Sequence, residues 1–456
     1  MHRTKIGNLK CHVHLLRQQF AQTCRDGLGE AFSTQEMERI VAQEVGVYRE
    51  RIYPPMVVLR LFVDQVLSAD QACQDAVGRR LSQRVAEGQA ACSLSSGPYC
   101  KARSRLALGL PQRLCKQLGR RLELSVPPQW RWQGRTVKLF DATTVSMPDT
   151  PQNQLAWPQS GRQQPGLGFP LARIGALVGL GSGAVIDYAV ASTKGKSTGE
   201  QALLREVSHS LGEDDILLAD ALHSTWWTLQ MMAGRGIDVV MPNDGRRKVD
   251  CERDHVVWWP KPKRAQWLSK EQYQQMPAGI WVREVGISGR VLVTTLLEPE
   301  QASACEIEAL YAMRWNIEVD FRTLKAAMGM DVLRCKSPDM VQKEIAVYLL
   351  TYNLVRWTMA CAAQLAQVPA RALSFASTRR LIWTFAGHLR WGTYRDTAYL
   401  AATLLKSIAR CVLPRRPDRI EPRAKKRRPK PLPLLTLPRD QARARILAQR
   451  ALKVAP

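Results

Sequence analysis

Between Tyr311 and Lys325, five polar side chains recur at intervals that place them along one side of a helix. At about 3.6 residues per turn, Arg314, Glu318, Arg322 and Lys325 all fall within about 60° of Tyr311. Leu310, Ile317, Phe321, Leu324 and Met328 form the adjoining apolar face, so the stripe should lie at the edge of a core. Taken alone, Arg314 and Glu318 four residues apart would be a surface ion pair contributing a few tenths of a kcal/mol. Two further carboxylates change that reading. Asp141 closes the run Val137-Lys138-Leu139-Phe140-Asp141, and Asp220 closes Ile216-Leu217-Leu218-Ala219-Asp220. Both stand at the carboxyl ends of predicted strands, where open α/β sheets place their ligands. Three such carboxylates brought together would repel and raise one another's pKa, whereas divalent, oxygen-seeking cations turn the cluster into a binding site.

The elements that must position them follow from periodicity. Gly175 to Ser192 has the pattern of a hairpin turning at Gly181-Ser182-Gly183, Gly199 to Leu211 is helical, and Ile237 to Met241 is another strand. Strands alternating with helices predict an α/β core over residues 131–360. Residues 242–300 interrupt it with a β-rich insertion containing Trp258, Trp259, Trp267 and Trp281. For each tryptophan, packing within the insertion is the expected role. Before the core, residues 1–130 show helical spacing. Ser33-Thr34-Gln35-Glu36 has capping-box form, Pro54-Pro55 opens a very apolar helix to Leu67, and Ser68-Ala69-Asp70 is the expected cap of the next helix. This region has the pattern either of a helical DNA-binding domain or of an ordinary bundle. After the core come C-terminal helices at 361–413 and a basic tail at 414–456.

Composition narrows the function. The 456 residues carry 66 Lys and Arg against 40 Asp and Glu, a net charge of +26, which favours a polyanionic partner. The tail alone holds 14 basic and 3 acidic residues, including Lys425-Lys426-Arg427-Arg428-Pro429-Lys430-Pro431, and is expected to be an extended, disordered arm that contacts phosphates. The longest apolar stretch, Ile174 to Ile186, is too short to span a membrane, and no secretory segment opens the chain, so a cytoplasmic protein is expected. Eleven scattered cysteines fit no disulfide framework, and Cys11-His12-Val13-His14 matches no standard zinc spacing. Gly195-Lys196-Ser197 lacks the upstream glycine of a phosphate-binding loop, and Gly179, Gly181 and Gly183 belong to a hairpin, so no nucleotide cofactor is implied.

The spacing Y-x-x-R-x-x-x-E-x-x-x-x-x-x-K, spelled by Tyr311, Arg314, Glu318 and Lys325, resembles the signature of DDE transposases of the insertion-sequence-four group. Val137 to Thr150, around Asp141, and Leu217-Leu218-Ala219-Asp220 resemble the regions of the family's first two aspartates, and Ser95 to Arg103 resembles its N-terminal part. The likeness runs from about residue 50 to 360. It implies an RNase H-like mixed-sheet core in which Asp141, Asp220 and Glu318 are catalytic and hold two Mg²⁺ or Mn²⁺ ions. It implies that Tyr311, Arg314 and Lys325 contact DNA, with Arg322 of the same polar stripe expected to join them, and that the partners are double-stranded terminal inverted repeats and target DNA, bound by a homodimer in a synaptic complex. The expected activity is cut-and-paste cleavage and strand transfer. Where relatives read D-G-T-T and D-R, this chain has Asp141-Ala142-Thr143-Thr144 and Asp220-Ala221. The missing arginine defines the alternative, an inactive relic that binds element ends without cutting.

Overall fold

The computed structural model describes residues 32–48, 51–247, 249–391, 394–414 and 434–454. The aliphatic and β-branched run from Val137 forms strand β1 (Val137–Ser146), flanked by the expected hairpin of β2 (Leu171–Gly179) and β3 (Val185–Ser192). Gly183 in the hairpin turn has φ +68°, a conformation that a residue without Cβ adopts freely. β1 is antiparallel to β2, and β2 to β3, while β4 (Ile216–Leu218) and β5 (Asp238–Pro242) continue the sheet in parallel with β1. The order β3-β2-β1-β4-β5 with these directions is the RNase H-like core. The insertion is β-rich, as expected, yet it is not a separate sheet. β6 (Asp254–Pro260), β7 (Gly279–Ile287) and β8 (Arg290–Thr294) join antiparallel beyond β5, making eight strands in all.

Alternate residues of the strands feed two cores, as the pleat requires. Leu139, Ala176 and Val178 face helices α5 (Gly109–Leu124) and α12 (Pro338–Ala366). Phe140, Leu177 and Leu217 face α7 (Glu200–Val207) and α8 (Trp226–Ala233). In the N-terminal helices, Ser33 caps α1 (Thr34–Glu44) through the Glu36 N–H, and Pro54 precedes α2 (Pro55–Leu67). α3 (Cys73–Ala86) starts later than the Ser68-Ala69-Asp70 signal predicts. Asp70 accepts the Ala72 N–H at 3.1 Å and so shapes the turn before the helix rather than capping it. With α4 (Gly97–Arg105), these helices share the core of the sheet's first face.

Asn353, fully buried on α12, shows how closely the layers are joined. Its Nδ2 donates to the carbonyls of Cys115 on α5 (3.0 Å) and Val185 on β3 (2.8 Å), and its Oδ1 accepts the Val185 N–H (2.9 Å). At the same junction a Cβ on Gly119 would sit 2.1 Å from the Val185 carbonyl oxygen. Gly119→Ala should therefore force α5 off β3 and cost about 1–3 kcal/mol. A urea-unfolding midpoint equal to that of the parent would refute the close approach.

Toward the C-terminus, α13 (Phe375–Trp391) and α14 (Tyr394–Ala409) follow α12. The tail departs from expectation in one part: Arg439–Val454 is a helix, α15, rather than extended chain. Its Ala, Leu, Arg and Gln composition supports helix, and the prolines that oppose it lie upstream of Arg439. Residues 415–433, with the Lys425 to Pro431 run, and Cys11 to His14 lie outside the described residues. Nine cysteines within them are free thiols. No helix among the described residues is long and apolar enough to cross a membrane.

The insertion's tryptophans divide by environment. Trp259 is buried and donates its Nε1–H to Glu284 Oε1 at 2.9 Å. Trp258 and Trp281 meet edge to face across β6 and β7, with centroids 5.1 Å apart and faces half exposed. Trp267 packs against Trp227, with the Arg205 guanidinium 4.3 Å above its ring.

Candidate active site

β1 and β4 pair in parallel only as far as Leu139 and Leu218. Asp141 and Asp220 each stand two residues further on, so the period-two pleat carries both side chains to the same side. Asp141 does not end its own strand, as the sequence suggests. β1 runs on to Ser146 beside β2, and it is the neighbouring β4 that stops, opening a gap in the sheet at the two aspartates. Asp141 accepts the Ala142 N–H at 2.7 Å, and Asp220 accepts the Leu222 N–H at 3.1 Å, opening a short 3₁₀ turn at Ala221–His223.

The third carboxylate in direct reach is one that sequence reasoning missed. Oxygens of Asp141, Glu200 and Asp220 all lie within 4.8 Å of one another. Glu200 is the first residue of α7, following Gly199, and its carboxylate is 3.8 Å from Arg173 on β2. The next residue, Gln201, donates to the Leu222 carbonyl at 2.7 Å, which ties the start of α7 to the turn after Asp220. An acidic residue at a helix N-terminus is favoured by the helix dipole wherever the helix lies, so the sequence signal was indistinguishable from ordinary helix chemistry.

Glu318 sits on α11 (Asn316–Arg322), one guanidinium away. Arg314 donates from Nη2 to Glu318 Oε1 at 2.7 Å and holds Nη1 3.6 Å from Asp141 Oδ2. The structure thus brings Asp141 and Asp220 together directly and attaches Glu318 through Arg314. Tyr311, nearly buried on α10 (Ala304–Ala312), has its ring centre 5.9 Å from that guanidinium.

The helical stripe is not one regular helix. A 3₁₀ turn at Met313–Trp315 separates α10 from α11, and a π-helical turn follows at Thr323–Ala327. Even rotation of 100° per residue therefore fails before Lys325, which pairs with Asp331 at 3.1 Å. Arg322 is exposed and makes no ion pair with any described residue. Asp320, two residues from Glu318 and also missed, is itself fully buried and points the other way into an ion-pair network. It receives Arg356 at 2.6 Å, Arg371 at 2.9 Å and the Tyr352 hydroxyl at 3.0 Å, which fixes α11 against α12.

Burial pushes the Asp141 carboxyl up to about 6, with Asp220 and Glu200 adding to the rise and the Ala142 N–H and Arg314 opposing it. Glu200 is raised by burial and by Asp220, against Arg173. His223, 1% exposed, has its Nε2 3.7 Å from Asp220 Oδ1; burial lowers it to about 4, so at neutral pH it supplies no positive charge. Hard carboxylate oxygens at this spacing fit a divalent cation of the Mg²⁺ type. For Asp141, the folded state holds a proton that the unfolded chain releases between its ordinary value of 3.8 and about 6. Its contribution to stability therefore falls as pH rises through that window, and the ionised form that remains is the one a cation binds. Mn²⁺ should accordingly raise the unfolding temperature more at about pH 7.5 than at about pH 5.5. Equal shifts at both pH values would contradict the assignment.

Carboxylates converging where an RNase H-like sheet opens, under a helix bearing Tyr, Arg, Glu and Lys at the family spacing, define a metal-dependent DDE-type enzyme of phosphodiester chemistry. Residues 132–354 match the transposase DDE domain. The chain is 25% identical over 324 residues, 66% of its length and 70% of the relative's, to the transposase InsG for insertion sequence element IS4 of Escherichia coli (strain K12). A shorter stretch of 68 residues, 15% of this chain and 18% of the relative, is 35% identical to the transposase for insertion sequence element IS421 of Escherichia coli. Among solved structures, the piggyBac transposase in a synaptic complex with hairpin DNA aligns over 86% of each chain, with TM-score 0.43 and 9% identity. Residues 132–354 are thus a transposase DDE domain, in a chain similar over 66% of its length to an IS4 transposase, and the protein is a DNA transposase.

Proposed function

We propose that the protein binds the terminal inverted repeats of its own insertion sequence, as a homodimer in the synaptic complex, and moves the element by cut-and-paste cleavage and strand transfer into target DNA. Asp141, Asp220 and Glu318 are the catalytic carboxylates, and they would hold two Mg²⁺ or Mn²⁺ ions. Bound there, such ions supply Lewis-acid polarisation of the phosphate and a lowered pKa for the attacking water or 3′-hydroxyl. The observation that carries this reading is the meeting of Asp141 and Asp220 at the gap beside β4, with Glu318 linked to Asp141 by Arg314.

The chain's own residues orient the DNA. Arg314 offers a planar fork matched to phosphate oxygens, while Lys325 and the exposed Arg322 add positive charge along the same irregular helix. Tyr311 can donate its hydroxyl to a phosphate oxygen. The N-terminal helices of residues 1–130 and the basic tail extend the contact along the duplex, in keeping with the excess of 26 positive charges. A protein of this activity works at the nucleoid, in the cytoplasm.

The test is incubation of the protein with supercoiled donor DNA carrying the element's ends, with Mg²⁺ or Mn²⁺. Excised or inserted DNA is the expected product. Nicks without joined products would identify a nuclease. Binding without nicks would identify an end-binding relic, the outcome that Ala221 in place of the family's arginine makes specific to this chain.

A further inference from the structure

The transposase reading places Asp141, Asp220 and Glu318 in one site, yet the geometry separates Glu318 from the other two. Glu318 is committed to Arg314 at 2.7 Å, and the same guanidinium leans on Asp141 at 3.6 Å. The position next to both aspartates is taken by Glu200, with oxygens of all three within 4.8 Å. Glu200 is placed there by covalent structure and not by chance of rotamer alone: Gly199 turns the chain into α7, and Gln201 holds that turn to Leu222. Among the described residues, the only cation beside Glu200 is Arg173 at 3.8 Å, and no Lys or Arg pairs with Asp220, whose one such neighbour is the His223 imidazole at 3.7 Å.

A second observation points to a ligand at this spot. His223 is 1% exposed, both its ring nitrogens lack a hydrogen-bond partner, and Nε2 faces Asp220 Oδ1 at 3.7 Å. Its ring is held edge-on by Phe140, with centroids 5.1 Å apart. A buried imidazole left with both nitrogens unmet is costly unless the site it faces provides polar partners, such as the water shell of a bound ion. Phosphate oxygens compete well for a guanidinium, since Arg recognises both groups with the same fork.

We infer that Glu200, with Asp141 and Asp220, holds a divalent cation in the DNA-free protein, and that Glu318 enters the site only when a DNA phosphate takes Arg314 from it. This rests on the metal-dependent transposase reading and adds an order to it: one ion before DNA, the Glu318 carboxylate after. Arg314 acts as a positioning residue that keeps Glu318 in reserve.

Mn²⁺ titration of the full-length protein, followed by the loss of free-ion electron paramagnetic resonance signal, tests this without any cleavage readout. Without DNA, Glu200→Gln should weaken Mn²⁺ binding at least about tenfold, and Glu318→Gln should leave it within about threefold of the parent. Adding a duplex element end should increase bound Mn²⁺ in the parent and in Glu200→Asp, but not in Glu318→Gln. Glu200→Asp, which keeps the charge and withdraws the carboxylate by one methylene, should bind with intermediate affinity and guards against a folding defect in the Gln variant. Parent-like binding by Glu200→Gln, or a DNA-free loss in Glu318→Gln as large as in Asp141→Asn, would overturn the inference. Undiminished binding by Asp141→Asn would instead overturn the underlying metal site.

Discussion

Asp141→Asn should abolish strand cleavage, lowering single-turnover nicking of donor DNA by about 10³-fold or more, equivalent to ~4 kcal/mol of transition-state stabilisation. Asp141 is the residue on which the site converges: its oxygens face Glu200 and Asp220, and Arg314 ties it to Glu318. The amide retains the shape and can still accept the Ala142 N–H, so the fold should survive. It removes the charge that an ion requires. DNA affinity, measured by gel shift, should be equal to or above that of the parent, because a negative charge facing phosphate is lost. Nicking within about tenfold of the parent would remove Asp141 from the catalytic set.

The second large effect is on stability. Asp320→Ala should cost about 3–5 kcal/mol, because it leaves the buried Arg356, and the partly buried Arg371 beside it, without their shared counter-charge. The Arg356 guanidinium would have to keep its charge in the interior without the carboxylate that it bonds at 2.6 Å, and Arg371 would lose both of its bonds to Asp320. The same network seats α11, so the residual folded fraction should also cleave poorly, with Glu318 displaced. A denaturation midpoint indistinguishable from the parent would show that the network contributes nothing net.

Much of the site was legible because it rests on local chain features. Val137 to Asp141 and Ile216 to Asp220 announce buried strands by aliphatic run, and the parallel register then aligns their aspartates without help from distant residues. The hairpin was equally plain, since Gly181-Ser182-Gly183 separates two apolar stretches. What stayed hidden depends on contacts between segments far apart. Glu200 becomes a partner of Asp141 only when α7 docks on the sheet beside the Asp220 turn. Asp320 gains its meaning from Arg356 and Arg371, 36 and 51 residues away. The winding up to Lys325 was also hidden, because a wheel assumes a uniform helix, whereas 3₁₀ and π turns interrupt this one. The insertion was recognisable by its β-rich sequence, but nothing in residues 242–300 reveals that β8 would pair with β5 and lengthen the same sheet.

The Asn353 junction has a consequence for how such a protein can be taken apart. Because that one amide satisfies backbone groups of α5 and β3 at once, cutting the chain at residue 131 would strip a layer from the enzyme rather than release a neighbouring module. A bare 132–354 fragment would expose the apolar side of the sheet to solvent and should aggregate. Exchange of the helical segment for a foreign DNA reader, the common route by which modular enzymes acquire new addresses, is closed to this architecture unless the graft also rebuilds the shared interior.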